Sequence, residues 1–321
     1  MHMADFPDLN ALTQHIEFDP KQLIGIPFAL VGAVLMSIGA QLQHRGVGKV
    51  GNTSGGLEKE GLNIAQFFSL FRRPSWLIGT VLLGLAIVFQ LTSLGFSPLI
   101  VVQPIGAVAL VITAILNARV TKRHLNKASI MAVALCVGGI GIFVTIAAFT
   151  AVNAPMTSGD LIAILIILVV VLAIFGALFL IFKKHLSALY YIVGAGVLYG
   201  FVATLAKVVI TTVLQGSKDP LMWACLLALV AAAALGAIFV QNAYSSGPPD
   251  LVIAGLTVID PIVAVTIGIV ILHEASQAPP WAMVSYVIAG AISVVGVFLL
   301  AKYHPQTHDE IVEAAHDFKE D

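Results

Sequence analysis

The sequence predicts an all-α, multi-span membrane protein, and three observations carry that reading. Of 321 residues, 59% are hydrophobic and only 10% charged, with a mean hydropathy of +1.00. A soluble domain of this size carries roughly a quarter charged residues, so one aqueous core cannot hide these side chains. Nine apolar segments also reach the length of about 20 residues that a spanning helix needs. Finally, the basic residues sort by side when the segments are threaded alternately across a bilayer. Of the 16 Lys and Arg, all but three fall on one side. Lys21 and Lys218 fall on the other, and Lys207 lies inside a span. By the positive-inside bias the N-terminus is outside and the C-terminus cytoplasmic, in a multi-pass protein of the plasma membrane.

In chain order, residues 1–22 form an extracellular segment. Its opening "MHMADFPDLN" is acidic and does not read as a cleaved signal. The spans run over roughly 23–44, 75–95, 98–118, 128–150, 160–182, 189–214, 221–245, 250–273 and 281–302. Connections are short except 45–74, whose Gly-rich start reads as a flexible cytoplasmic loop. Its later "IAQFFSLF" suits a short interfacial helix. The tail, 303–321, is acidic and holds His304, His308 and His316 at a spacing weak for a metal. Cys136 and Cys225 lie in apolar spans without CxxC-type spacing and read as small buried hydrophobes.

The chain resembles itself. "FQLTSLGFSP" and "VVQPIGAVALVITAILNAR" have counterparts in "VQNAYSSGPP" and "VIDPIVAVTIGIVILHE". Gln90 then matches Gln241, and Gln103-Pro104 matches Asp260-Pro261. Residues 23–150 form a first repeat of four spans, 151–186 a linking helix, and 187–302 a second repeat. One linking span makes the offset odd, so the repeats cross the membrane in opposite directions. Inverted repeats with a polar site at their interface are the plan of secondary transporters.

An acid at the bilayer centre is costly, roughly 2.5–3.5 kcal/mol on insertion scales. Asp260 lies about ten residues into its span, at mid-depth by helical rise. Pro261 lacks an N–H, so the carbonyl near Thr257 loses its donor. A proton or cation site fits this pair, and so does a structural hydrogen bond between helices. Asp260 is the one candidate metal ligand in the spans. Gln103, Gln90, Gln241 and Asn242 are either pathway residues or inter-helix hydrogen bonds. Lys207 is either a pathway residue or a snorkelling cation. Pro104 and Pro261 are expected helix breaks, and His273 and Glu274 a solvated rim.

The segment "SPLIVVQPIGAVALVITAILNARVTKRHLNKASI", a Gly-rich span after it, and "IGAQLQHRGV" at the end of the first span are similar to the drug/metabolite transporter superfamily, EamA/NIPA-like, and within it to the NIPA-like magnesium transporters. The resemblance covers about 23–302 and is strongest over 90–145. It departs from the branch pattern at Gln103 and Asp260. It implies a transporter fold with a central cavity between inverted repeats.

Net charge is −1, which gives no basic field for nucleic acid. No HExxH, GxSxG or P-loop is present, so neither an enzyme nor a cofactor is expected. The expected partners are the lipid bilayer and a small solute or cation, with monomer and homodimer both open. Three functions stand. The first is a secondary permease working by alternating access with Asp260 as its coupling or binding carboxylate. The second is a magnesium or divalent-cation transporter, and the third a non-transporting scaffold subunit of an envelope complex.

Overall fold

The computed structural model describes residues 22–53, 73–120, 127–182, 187–216, 219–246 and 249–303. All ten elements within them are α-helices: α1 Gln22–Thr53, α2 Pro74–Phe96, α3 Leu99–Gly106, α4 Val108–Val120, α5 Lys127–Thr150, α6 Ser158–Phe182, α7 Ala188–Leu214, α8 Leu221–Ser246, α9 Pro249–Val270 and α10 Pro280–Tyr303. Among the described residues nine helical stretches are long and apolar enough to span, with α3 and the first part of α4 sharing one of them. A helix suits this sequence because it satisfies every backbone N–H and C=O within the segment, as hydrocarbon requires.

Large apolar side chains point outward along these helices. Leu180 and Val287 are each 73% exposed and Leu227 72%, which in water would be an aggregation surface and in a bilayer is the lipid contact. The helices pack instead through small residues. Gly39 of α1 lies against the Gly79 carbonyl of α2, and Gly296 of α10 lies against the Cys136 backbone of α5. Such close approach is how helices associate where no hydrophobic gain separates side chain from solvent.

Contacts follow an order that recurs. In the first half α1 packs on α2, and α3 with α4 lies between α1 and α5. In the second half α7 packs on α8, and α9 lies between α7 and α10. Across the halves α5 meets α10, α3 meets α9, and α2 meets α7. Helix α6 stays peripheral, with 11% of its span buried. The short connections 97–98, 151–157 and 271–279, with 219–220, gather at one end of the bundle, termed the corner end below. The start of α1 joins them, since Ser93 Oγ of α2 donates to the Gly25 carbonyl at 2.8 Å.

Two expectations need correction. Residues 45–53 continue α1 as helix, so the 45–74 segment does not begin as a loop. Pro261 does not break its helix, because α9 runs unbroken from Pro249 to Val270. A proline loses one hydrogen bond to the preceding turn, and here the neighbouring turns carry the helix past it. Pro104 does precede a break: α3 ends at Gly106, and the Ala107 N–H turns back to the Pro104 carbonyl at 3.2 Å. The N-terminal segment 1–21, the stretch 64–71 and the tail 304–321 lie outside the described residues.

Packing at α5–α10 gives a direct test. A Cβ on Gly296 would stand 2.4 Å from the Cys136 backbone nitrogen, whereas one on Gly138 would meet nothing within 4 Å. Gly296→Ala is expected to destabilise by roughly 1–3 kcal/mol, and Gly138→Ala to leave stability unchanged. Thermal unfolding of the detergent-solubilised variants reads both.

Candidate functional site

The broken span and α9 meet at the centre of the bundle. Asp260 lies midway along the 22 residues of α9, about 16 Å from either end by helical rise. Its helix comes close to α7 because Gly200 presents no side chain: a Cβ there would stand 2.7 Å from Val263 and 3.1 Å from the Asp260 carbonyl.

A cavity of about 400 Å³ opens beside it, lined by α1, α2, α3, α7 and α9 and the Ala107 junction. Asp260, Gln103, Gln90, Tyr199, Thr257 and Pro261 all face it, and Ala33, Met36 and Leu91 supply apolar wall. The structure therefore brings Asp260, Gln103 and Gln90 together. It keeps Gln241 and Asn242 apart from them. Gln241 is exposed on α8, and Asn242 donates to the Ile238 carbonyl of its own helix at 2.8 Å. Neither lines the cavity.

One polar atom on the cavity wall lacks a partner. Asp260 Oδ1 is buried and has no hydrogen bond among the described residues. Gln103 is 7% exposed. Pro261 offers no N–H to the Thr257 carbonyl, and the Thr257 hydroxyl is spent on the Ile253 carbonyl at 2.7 Å. Buried polar groups are ordinarily satisfied. An orphaned carboxylate oxygen on a cavity wall keeps its capacity to accept a hydrogen bond or contact a cation.

Lys207 does not line the cavity. It is 3% exposed and sits at the corner end, between the α2–α3 corner and the connection after α5. Its Nζ donates to the Leu94 carbonyl at 2.7 Å, the Ser97 carbonyl at 2.9 Å and Asn153 Oδ1 at 2.9 Å. All three ammonium donors are used, which a snorkelling lysine does not do. Asn153 returns its amide to the Phe96 carbonyl at 2.8 Å. The carbonyls at the end of α2 thus have their donors within the protein.

Glu274 is the larger surprise, because a solvated rim was expected and the residue is 2% exposed. Its two oxygens accept the N–H groups of Leu99 and Ile100 at 2.8 and 2.9 Å, capping the first turn of α3. Burial pushes its carboxyl up from the usual range, while the Lys207 charge and those two amides pull it back. Both oxygens accept, as an ionised carboxylate does. The connection folds inward because His273 adopts φ 54°, the left-handed region that His tolerates better than most residues. His273 itself remains exposed at the rim. The Glu274 carbonyl in turn accepts Val152 N–H at 2.8 Å. Sequence reasoning passed over Asn153 and Ser97 as loop residues; their polarity beside apolar spans was the available signal.

Among the described residues no group of three or more His, Cys, Asp or Glu could hold a metal ion. A bare divalent ion, which takes six or more oxygens, has no dedicated cage here.

Removing the Lys207 ammonium strands three acceptors in a buried place. Lys207→Met is expected to cost roughly 3 kcal/mol or more, against less than about 0.5 kcal/mol for an exposed substitution such as Gln241→Ala. Chemical denaturation in mixed micelles reads the difference.

The family model described as "Magnesium transporter NIPA" matches residues 20–306. An uncharacterized protein of Corynebacterium glutamicum is 26% identical over 288 residues, covering 88% of this chain and 96% of that protein. No solved structure matches. The family match begins before the first described span and ends after the last, so it takes in the cavity, the broken helix and the buried charges together: the chain belongs to the magnesium transporter NIPA family, a family of multi-pass membrane transporters.

Proposed function

We propose that this protein moves hydrated Mg²⁺ through the central cavity, with Asp260 as the binding carboxylate. The observation that carries the reading is the buried, unpartnered Asp260 Oδ1 on the wall of a cavity that also holds Gln103 and Gln90. A carboxylate, amide oxygens and a freed Thr257 carbonyl place a few oxygens on an otherwise largely apolar wall, and oxygen is the ligand a hard divalent cation prefers. Mg²⁺ gives up its waters reluctantly. At about 30 Å³ per water, a shell of six needs roughly 180 Å³, and the cavity offers about 400 Å³. The ion is held through its waters, which donate to Asp260 and the glutamines, so one carboxylate suffices.

The two four-span units, 23–150 and 187–302, act as the moving halves about the linking helix α6, and the site alternates between the two faces. The recurring helix contacts support this division. The corner end faces outside. Asp160 and Asp219 lie at that end, and Arg73, Arg119, Lys127 and Lys302 lie at the opposite one, the charge bias of a cytoplasmic face. The plasma membrane is the site of action, and the driving force is an ion gradient or the cargo's own gradient.

Purified protein in liposomes containing a Mg²⁺-sensitive dye tests the reading. Asp260→Asn keeps the volume and removes the charge; uptake is expected to fall by about tenfold or more, with the unfolding temperature unchanged. Asp260→Asn uptake equal to wild type would overturn the assignment.

A further inference from the structure

We infer that Glu274 is a positioning residue of the cavity, one that sets where Gln103 stands without touching the cargo. This rests on the cavity being the transport site. The inference begins with α3. It is eight residues long, Leu99–Gly106, and is parted from α4 at Ala107. A helix so short inherits no alignment from a longer one, and two turns of backbone do not hold themselves. Its placement comes from what grips its ends.

At its start the grip is ionic and double. Glu274 takes both the Leu99 and the Ile100 N–H groups. Lys207 holds the preceding Leu94 and Ser97 carbonyls. Gln103 follows Leu99 by four residues and Ile100 by three, which puts its side chain on the same face one turn further in. Turning or sliding the first turn of α3 therefore carries Gln103 with it. Two other features serve the Glu274 grip. His273 takes its left-handed conformation directly before Glu274. Gly268 leaves the space the carboxylate fills, since a Cβ there would stand 2.7 Å from Glu274 Oε2. Connection, helix and broken span are fitted around one carboxylate that never reaches the cavity.

Glu274→Gln retains one acceptor and sets an NH₂ against a backbone N–H, loosening the grip with nearly constant volume. In liposome uptake it is expected to raise the KM for Mg²⁺ about tenfold while the maximal rate changes by less than about twofold. Gln103→Ala raises KM similarly. The double variant Glu274→Gln/Gln103→Ala is no worse than Gln103→Ala alone, because Glu274 acts through Gln103. Additive effects, or a loss confined to the maximal rate, overturn the inference. Gly268→Ala, which crowds the same carboxylate from α9, follows the same pattern and serves if Glu274→Gln does not fold.

Thiol labelling separates this inference from the transport reading. In a Cys136→Ala/Cys225→Ala background, Gln103→Cys is labelled with a small cationic methanethiosulfonate. Adding Glu274→Gln is expected to change the labelling rate about fivefold or more, and an unchanged rate overturns the positioning role. A wild type that moves no Mg²⁺ while labelling still responds refutes the function and leaves the positioning intact.

Discussion

A helix broken inside a bilayer is admissible only where its freed backbone groups find partners in protein. At the α2–α3 corner this constraint governs the rest of the molecule. The carbonyls ending α2 and the amides opening α3 are buried with Ser97 and Leu99, so water cannot serve them. Lys207 supplies donors to the first set and Glu274 supplies acceptors to the second. Each charge matches the pole it meets, the cation at a helix C-terminus and the anion at an N-terminus. Each also belongs to the second half of the chain, so the corner of the first half is completed by the other.

Burying charges is not a cheap way to close a protein. Paired buried ions often stabilise no better than well-packed apolar residues of the same size. They differ in what happens when the packing opens. An apolar plug exposed to water costs free energy over its whole area, whereas Lys207 and Glu274 regain hydration as their hydrogen bonds part. Under the alternating access proposed above, a polar closure leaves closed and open arrangements closer in energy. The corner-end network spans α2, α3, α7 and the connections after α5 and α9, the segments that part in the proposed opening of that end.

The spans were legible because hydrocarbon punishes polarity so steeply that composition alone locates them, and the helix ends differ from expectation by a few residues apart from α1. Asp260, Gln103 and Gln90 stood out for the same reason, and they share a cavity. Gln241 and Asn242 stood out equally and lie elsewhere, because a period in sequence does not say which flank of a helix meets a neighbour. Glu274 was misread since a charged residue at the end of a span is ordinarily solvated. Its burial depends on a backbone reversal at His273 and on the empty space at Gly268, both three-dimensional facts. The two prolines show the same limit. Matching motifs led to matching expectations, yet α3 stops after Pro104 while α9 continues through Pro261.

That difference bears on why the halves are unequal in charge. Gln103 and Asp260 occupy corresponding places before their prolines, and both face one cavity. Were both acidic, two carboxylates would confront each other in a low-dielectric space, and an empty site could not keep both ionised. With one neutral member, the site holds a single carboxyl group and an amide whose oxygen still accepts a hydrogen bond. The positive charge that completes the α2–α3 corner is kept away from it: Lys207 is fully occupied by Leu94, Ser97 and Asn153, so it does not reach down to neutralise Asp260. A corner whose two buried charges are tied off by backbone groups and Asn153 is what leaves the central carboxylate unspent.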